Sequence, residues 1–572
     1  MVILFLVALV AATVWVGARS LLAKNELEAT VPLAEKVKAA LIAGDQSATG
    51  ASIVELANHA RAASALTSDP IYAIAQSVPF VGPNLTAFRQ VTVTIDHIIG
   101  TGLLPLASLA VTFEAGTLGP VDGAFQVQPL IDAAPTLETA DRIMREAQRD
   151  LAAIDTSATI GAVTDAVARV DSVVNNAAVS VATASNVATL LPAMLGTTED
   201  RTYLLMFQNN AEVRATGGLP GALAIVNTSK GRFSLGEQSS ATKFPHYPAP
   251  VLPLDRATAS LHPEVGQFMQ DVNETPDFPT AAALAREMWR REKGVSVDGV
   301  ISIDPVALSY ILKATGPVTV STGDVLDSKT VVDFLLSGVY AKYPDPVTQD
   351  SVFADAAQAV FSAIATGSLD QGELRDALAK ASSERRILIW NTREAEQKVL
   401  AGTHFAGTLP KTNAGGDLIG VYLNDASGAK MDYYLDAATT VTSGADPGSY
   451  RADVAVSSSA PADAATSLSA YVTGGGVYGV PPGSVRTRVL VYGPVGSHVT
   501  ATRLNGVPVE AQVEQDFGRG VAQVIVQLAP GEVATVSVDL EGASSPSSGE
   551  AAVRMTPLIR EGKVIINAPT EP

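Results

Sequence analysis

The sequence predicts a multidomain protein: an N-terminal transmembrane helix, an all-α helical stalk, a central α/β domain and a C-terminal all-β sandwich. The first 18 residues are apolar and uncharged, and helical periodicity then continues to about residue 196. Strands next alternate with helices, and after residue 415 short strands alternate with Gly/Pro/Ser turns. Because 572 residues exceed one hydrophobic core, we expect domains at 1–18, 19–196, 197–415 and 416–572.

The composition narrows the classes of partner. Hydrophobic residues make up 47% of the chain and charged residues 17%, which is typical of a folded globular protein. With 39 basic and 58 acidic residues, the formal net charge is −19, and such a chain is repelled by nucleic acid. The chain has no cysteine, which excludes disulfides, thiolate metal sites and cysteine nucleophiles.

The segment Met1–Ala18 carries no charged side chain. Its ten strongly apolar residues contribute about −3 to −6 kcal/mol to membrane insertion, and its length just suffices for a ~30 Å hydrocarbon core. A retained membrane anchor is the favoured interpretation, because no basic region precedes this long apolar run. A cleaved signal peptide is the alternative, with Val16-Gly17-Ala18 as the cleavage site.

No other stretch is expected to reach spanning length, so everything from Arg19 onward should lie on one side of the membrane. Arg19 and Lys24 follow the apolar segment and argue for a cytoplasmic side. Long domains, however, are translocated largely regardless of charge. We therefore expect a single-pass protein of the cell membrane with the bulk of the chain extracytoplasmic.

Local patterns predict the elements of each domain. In the stalk, Ile160, Val163, Val167, Val170 and Val174 share one helical face, and we interpret this stripe as a packing seam. The α/β domain should contain buried strands at Tyr203–Phe207, Ala222–Val226 and Gly299–Ile303. Asp304 followed by Pro305 predicts a helix start.

The most unusual polar segment follows the strand at Tyr203–Phe207. A turn needs about one Asn and one Gly, whereas this segment offers three neighbouring amides, a carboxylate, a guanidinium, a hydroxyl and a glycine pair. It is either a buried polar network that fixes the strand crossing or a binding site for a phosphate or carboxylate. Its candidate residues are Gln208, Asn209, Asn210, Glu212, Arg214, Thr216, Gly217 and Gly218.

Three further residues are candidates for binding. Asp277 lies in a loop before a predicted helix, Asp304 ends a strand and also suits a helix cap, and Arg385 precedes an apolar strand. No two of the six histidines have metal-ligand spacing, and no nucleophile elbow, P-loop or dinucleotide fingerprint occurs. The sequence predicts no cofactor and no metal, and the catalytic residues are unknown, with Glu212 and Arg214 as candidates.

Five segments carry a family resemblance: YLLMFQNNAEVRATGGLPG at 203–221, NETPDFP at 273–279, VDGVISIDPVALSYILKATGP at 297–317, ERRILIW at 384–390 and KMDYYL at 430–435. Together they resemble the bacterial family known as domain of unknown function 4012. This resemblance implies a membrane-anchored bacterial protein without a defined activity.

A weaker similarity is to the LytR–CpsA–Psr family, whose members transfer glycopolymers from a polyprenyl-pyrophosphate carrier to the cell wall. The similarity rests on Glu212 and Arg214 after a strand, and on the segment Asp298–Val318. It implies that Arg214 grips a pyrophosphate and that Glu212 lies near a magnesium ion. The chain departs from that family at Gly217–Pro220, where a second Arg and an Asp-Thr pair are missing, and at Thr348–Asp350, which lacks an arginine.

These observations leave two functions open. The favoured one is a binding or structural role in envelope or cell-wall glycopolymer assembly, with the membrane and a cell-wall glycan or polyprenyl-linked ligand as partners. The alternative is a magnesium-dependent glycopolymer phosphotransferase that acts on a polyprenyl-pyrophosphate-linked substrate. Whether the protein is an enzyme stays open at this point.

Overall fold

The computed structural model describes residues 2–43, 46–106, 120–366, 369–413, 415–444, 446–542 and 551–567. The chain divides into two compact units, Met1–Thr198 and Glu199–Pro572, which we call unit 1 and unit 2. Unit 1 is helical, whereas unit 2 combines an α/β region with a sheet-rich C-terminal region. Each unit is described by itself.

Over its described residues, unit 1 consists of helices and a short two-stranded ribbon. A π-helical segment at Ile98–Leu103 extends the fourth helix, and apolar residues from five of the helices form one core. This shared helical core agrees with the predicted all-α region. The elements are α1 (Val2–Ala43), α2 (Gln46–Thr67), α3 (Pro70–Ala75), α4 (Gly82–His97), β1 (Pro120–Val121), β2 (Ala124–Phe125), α5 (Gln128–Ala152) and α6 (Gly161–Met194).

The predicted anchor forms the first part of α1, which continues without a break to Ala43. The side chains of residues 1–9 lie outside the described part of the chain. Farther along the same segment, Val10, Val14 and Trp15 are exposed. Neighbouring exposed apolar side chains of this kind are typical of an interaction surface.

Helix α6 is long and apolar enough to cross a membrane, as judged by length and composition alone. The expectation that no second stretch reaches spanning length is therefore wrong. Val167, Val174 and Ala178 of this helix are buried in the core of unit 1, so its apolar character also serves helix packing. The core helix of a water-soluble bundle passes the same test of length and composition.

The α/β region of unit 2 is built on a five-stranded mixed sheet with the strand order β5-β4-β3-β6-β9. Strands β3 and β6 are parallel, and the other neighbours are antiparallel. Its elements are β3 (Arg201–Arg214), β4 (Gly217–Ser229), β5 (Arg232–Ser240), α7 (Arg256–Leu261), α8 (Phe278–Lys293), β6 (Gly299–Ile303), α9 (Pro305–Thr315), β7 (Val318–Thr319), β8 (Val325–Leu326), α10 (Val331–Asp333), α11 (Val339–Lys342), α12 (Pro346–Thr366), α13 (Gln371–Ser383), β9 (Ile387–Asn391) and α14 (Glu394–Leu400).

Helices cover both faces of this sheet. Helix α8 shares a core with Leu204 and Met206 of β3, whereas α9 packs with Ile387 of β9 and with α12 in separate clusters. The predicted start of α9 is confirmed, because the Asp304 carboxylate accepts a hydrogen bond from the Ala307 amide at 2.7 Å. A central α/β region is thus present, as expected.

The C-terminal region contains two sheets that share one hydrophobic core, the arrangement of a β-sandwich. The five-stranded sheet has the order β16-β17-β13-β10-β19, and the six-stranded sheet β15-β14-β18-β12-β11-β20. The elements are β10 (Leu418–Asp425), β11 (Leu435–Ser443), β12 (Tyr450–Ser458), α15 (Ala464–Ser467), α16 (Ala470–Thr473), β13 (Val485–Val495), β14 (His498–Leu504), β15 (Val507–Pro508), β16 (Gln512–Asp516), β17 (Arg519–Leu528), β18 (Val533–Glu541), β19 (Ala552–Met555) and β20 (Lys563–Asn567).

The β3–β4 hairpin tip (residues 208–218) connects these two regions of unit 2. Val213 is fully buried in the core of the C-terminal sheets. Its amide donates to Asp432 at 2.9 Å, and the amide of Ala215 donates to Asn424 at 2.8 Å. The hairpin therefore belongs to the central sheet at one end and to the C-terminal core at the other.

We predict that Asn424→Ala destabilises unit 2 by about 1–3 kcal/mol for each buried group left unpaired. Asn424 accepts from the Ala215 amide and donates to the Glu274 carbonyl, and alanine can do neither. Denaturant unfolding of the full chain followed by tryptophan fluorescence measures the loss, since Trp289 and Trp390 lie in unit 2. The exposed Asn227→Ala should change the free energy of unfolding by less than about 0.5 kcal/mol. An equal loss in both variants would contradict the assigned role of Asn424.

Candidate functional site

A cavity of about 860 Å³ lies between the central sheet and the C-terminal sheets of unit 2. Part of its lining is apolar, and we call this part the apolar wall. It comes from strand ends, from α9 and α12, and from the π-helical turn Phe334–Gly338. The side chains of this apolar wall are Phe207, Leu219, Ala222, Ile303, Leu308, Leu335, Leu336, Phe353, Ala356 and Ala357.

Charged side chains make up another part of the lining, which we call the charged wall. They come from the hairpin tip, from the segment before α8, from the start of α9, from α12 and from the C-terminal region. These side chains are Glu212, Arg214, Glu264, Asp271, Glu274, Asp304, Asp350, Asp425, Lys430, Arg486 and Arg488. Tyr471, Val477 and Tyr478 also line the cavity and are exposed, so it opens to solvent at that side.

Arg214 is the central cation of the charged wall. Its Nε and Nη2 donate to Asp271 Oδ1 at 3.2 and 2.8 Å, and its Nη1 donates to the Val213 carbonyl at 3.0 Å. Burial alone would lower the pKa of Arg214, but the carboxylates of Asp271 and Glu274 raise the pKa above its usual range. Arg214 is therefore a fixed positive charge, already held by one carboxylate.

Glu212 has a different partner from the one that the family resemblance implies. Its carboxylate is ion-paired with Lys430, whose ammonium lies 5.1 Å from the Tyr340 ring centroid and 4.7 Å from that of Tyr471. Burial would lower the pKa of Lys430, but Glu212 raises it, so the ammonium stays charged. Cation–π contacts of this kind further stabilise the charged lysine.

The remaining polar residues of the hairpin tip form an internal network. Gln208 accepts from the Gly218 amide at 3.0 Å, and Asn209 donates to the Tyr340 hydroxyl at 2.7 Å. Thr216 accepts from Asn273 at 3.2 Å, and Asn210 donates to Asp304 at 3.2 Å. Gln208 and Asn209 also line the cavity. These contacts form a polar network, and the binding-site interpretation of the segment stays a prediction.

The glycine pair serves close packing in the hairpin. A side chain at Gly217, whose φ is +142°, would meet Gln208 Oε1 at 2.1 Å, and one at Gly218 would meet the Asn209 carbonyl carbon at 2.2 Å. Because the Gly218 amide already donates to Gln208, it is not free to bind an anion. The cations of the wall, rather than the glycines, are the groups that suit an anionic ligand.

The three outlying candidates occupy different places. Asp304 lines the cavity but also caps α9 and accepts from Arg386 at 2.8 Å. Asp277 caps α8 by accepting from the Thr280 amide at 3.2 Å. Arg385 lines a separate small pocket next to Arg554, where burial lowers its pKa to about 10. The structure therefore brings Asp304 to the cavity with the hairpin residues and places Asp277 and Arg385 elsewhere.

Three carboxylates at the cavity could hold a cation. Glu264, Asp271 and Glu274 each offer an oxygen within 4.8 Å of the other two. Glu274 Oε1 accepts from Arg488 at 2.9 Å, whereas its Oε2 is buried with no hydrogen-bond partner among the described residues. His262 lies 4.0 Å from Oε2, but burial lowers the pKa of this histidine to about 3, so it is neutral there.

Residues 198–340 match the family described as Protein of unknown function (DUF4012). The matched DUF4012 segment extends from just before β3 into α11 and includes Arg214, Glu264, Asp271 and Glu274. No curated protein matches the chain. The resemblance noted at 384–390 and 430–435 lies beyond the DUF4012 match and stays a prediction.

Sequence reasoning missed the partners that lie outside the DUF4012 segment. The motif KMDYYL at 430–435 contains Lys430 but predicts no partner for it. No motif points to Arg486 or Arg488. A signal for the two arginines exists, because alternate residues of a strand share a face and Val485, Thr487 and Val489 are buried. Nothing in the local pattern indicates that this face of β13 meets the hairpin tip.

The pH dependence of stability tests the buried carboxylate of Glu274. Burial raises its pKa to about 7, against the opposing influence of Arg214 and Arg488. The folded state therefore binds more protons than the unfolded state between about pH 4.5 and 7, and stability should fall as pH rises through this window. In Glu274→Gln this fall should be smaller, by on the order of 1–3 kcal/mol.

Denaturant unfolding of the full chain at pH 5 and pH 8 measures this difference. The matched control is Glu510→Gln, because Glu510 is exposed in unit 2. Its pH dependence should equal that of the wild type. A wild-type-like pH dependence in Glu274→Gln would contradict the assignment.

Proposed function

We propose that the protein is a membrane-anchored, extracytoplasmic envelope protein that binds an amphipathic ligand with an anionic head group and an apolar chain. The observation that carries the proposal is that a single cavity is lined both by a set of apolar side chains and by a set of charged side chains. A polyprenyl-linked phosphate or pyrophosphate has this chemistry. The role is binding or structural, in the assembly of the envelope or its glycopolymers.

The apolar wall suits the chain of such a ligand. Ligand pockets of about 300–1,000 Å³ bury most of a drug-sized molecule, and this cavity falls in that range. Ala356 and Ala357 present only methyl groups to the cavity, which leaves space between α12 and the strand ends. An apolar chain in that space would release water from leucine and phenylalanine side chains.

The charged wall suits the head group. Arg214, Lys430, Arg486 and Arg488 bring four cations to one cavity, and guanidinium groups bind phosphate oxygens in a bidentate manner. The arginines that the LytR–CpsA–Psr pattern supplies at other positions are absent here. Arg486 and Arg488 of the C-terminal sheets supply positive charge in their place.

The apolar first segment of α1 supports the location. Residues 2–18 are uncharged, and their exposed members include Val10 and Val14. A retained helix of this composition inserts into a bilayer. A protein fixed at the membrane surface meets a polyprenyl-linked ligand where that ligand resides.

Filling the apolar wall should block binding of the chain. We predict that Ala357→Trp weakens binding of geranylgeranyl pyrophosphate at least about tenfold, because the indole occupies the volume that the chain needs. Gln358→Trp is the matched control, since it adds the same side chain at the exposed neighbouring position. Isothermal titration calorimetry on the detergent-solubilised full chain measures both affinities.

The head group is tested with the same ligand. Arg214→Ala should lower the affinity for geranylgeranyl pyrophosphate. Arg486→Gln should lower this affinity too, and it leaves the ion pair between Arg214 and Asp271 intact. Geranylgeraniol, which lacks the charge, should bind equally weakly to the wild type and to both variants. If the wild type binds none of these ligands, the proposed function is wrong.

A second function, a magnesium-dependent glycopolymer phosphotransferase, is favoured by one observation. The carboxylates of Glu264, Asp271 and Glu274 converge beside Arg214, where a divalent cation would lie next to a bound pyrophosphate. Mg²⁺ prefers carboxylate oxygens, and the unpaired Oε2 of Glu274 is available as a ligand. In this role Glu212 does not hold the metal, since Lys430 engages its carboxylate.

The metal site predicts Mn²⁺ binding that depends on the three carboxylates. Glu264→Gln, at an exposed position, should weaken Mn²⁺ binding about tenfold or more as followed by electron paramagnetic resonance. Binding should strengthen as pH rises through 7, because the pKa of Glu274 is about 7 and the metal binds the ionised carboxylate. Unchanged Mn²⁺ binding in Glu264→Gln would remove the observation that favours the transferase.

A further inference from the structure

Unit 1 exposes an apolar tip, residues 71–81, that its own core does not cover. Five large side chains of this tip are strongly exposed: Ile71 42%, Ile74 71%, Val78 48%, Phe80 91% and Val81 52%. No charged residue occurs from Pro70 to Phe88. A contiguous exposed apolar patch of this kind marks an interaction surface.

The backbone presents these side chains on a defined frame. The amide of Val81 donates to the Pro79 carbonyl at 2.8 Å, and that of Gly82 donates to the Val78 carbonyl at 2.7 Å. Phe80 adopts a φ of +66°, which is unfavourable for a bulky residue, and the Asn84 side chain donates to its carbonyl at 2.9 Å. The most exposed aromatic ring of the tip is thus held outward by a strained, hydrogen-bonded turn.

Contacts with α1 place the tip beside the end of the uncharged segment. Arg19, the first charged residue of the chain, pairs with Asp69 at 2.6 Å, and Ser20 donates to the Tyr72 hydroxyl at 3.3 Å. Val16 packs with Tyr72 and Leu85, and Ala75 joins this cluster. Since Ala75 and Leu85 flank the turn, both of its ends are fixed at the level of Val16.

This level is where an inserted α1 would leave the bilayer. The guanidinium of Arg19 lies 5.0 Å from the Trp15 ring centroid, and tryptophan with arginine is a typical pair at a membrane–water interface. Val10 and Val14, which precede this level in α1, are also exposed.

We propose that the tip inserts into the lipid bilayer beside α1 and forms a second membrane contact. A lipid surface is the occupant that the neighbouring uncharged segment favours, because the tip and the end of that segment lie at one level. The anchor and the tip together would fix the tilt of unit 1 on the membrane, which a single helix cannot do. This inference rests on the membrane insertion of α1 stated in the proposed function.

The absence of cysteine allows a direct test in the full chain. Single variants Phe80→Cys and Ile74→Cys carry a nitroxide label, and the protein is reconstituted into phosphatidylcholine vesicles. The segment that follows α5 lies near the tip, because the Ile160 amide donates to Asn84 Oδ1 at 2.9 Å. The control is Val121→Cys, an exposed apolar position that precedes the start of α5, and α5 is ~37 Å long at 1.5 Å per residue. Power-saturation electron paramagnetic resonance compares collisions with oxygen, which concentrates in lipid, and with a water-soluble nickel chelate.

Labels at residues 74 and 80 should collide more with oxygen than with the nickel chelate, and the label at 121 should show the reverse. Equal access of the chelate to positions 80 and 121 would overturn the proposal. Shielding of position 80 from both reagents would also overturn it, because a protein partner or a second copy then covers the tip. Flotation of the vesicles reports separately on the anchor, so its failure is distinguished from failure of the tip.

Discussion

The ion pair between Arg214 and Asp271 is the interaction on which the architecture of unit 2 depends. Both side chains are buried, and the guanidinium reaches Asp271 with two nitrogens. Removing two charges from water is costly, and the cost is offset only when geometry and further hydrogen bonds are good. The hairpin tip meets this condition by holding Arg214 between the central sheet and the C-terminal sheets. Breaking the pair would leave one buried charge without its partner.

Several further buried carboxylates lie near this ion pair, and their pKa values are raised. Burial raises the pKa of Glu274, Asp425 and Asp432, and Arg214 partly opposes this for each of them. A fold selected only for stability would replace such a cluster with apolar side chains. Perturbed carboxylates beside fixed cations in an open cavity are a frequent property of binding sites, and structural ion networks can produce them too.

Local sequence signals predict many of the helices and strands, but few of the contacts between residues that are far apart in the sequence. Capping chemistry predicts the helix start at Asp304–Pro305, and β-propensity predicts the strand at Tyr203–Phe207. Both signals act over a few residues. The length of β3 was not foreseen, because its register shifts after Phe207 and Asn209 carry it into the polar segment. The partner of Glu212 lies 218 residues away at Lys430, and local periodicity contains no information on such a contact.

The candidate site shows the same limit. The high density of polar residues predicts a candidate site at the hairpin tip. The structure places Glu212, Arg214, Gln208 and Asn209 at one cavity. The apolar wall was invisible in the sequence, because Leu308, Leu335 and Phe353 resemble ordinary core positions until the space between them is seen. The sequence likewise predicts only a packing helix at 161–194. The small apolar residues of a packing seam also occur in membrane-spanning helices, so composition does not separate the two.

The most direct test of the central claim is to locate a bound polyprenyl chain. A geranylgeranyl pyrophosphate analogue with a diazirine at the chain end is photolysed with the full protein, and the labelled peptides are mapped by mass spectrometry. The account predicts labels on α12 and on the 331–342 segment, which form the apolar wall, and competition by unlabelled geranylgeranyl pyrophosphate. Labels distributed over the surface of the protein, or insensitive to the competitor, would contradict the assignment of this cavity as the ligand site.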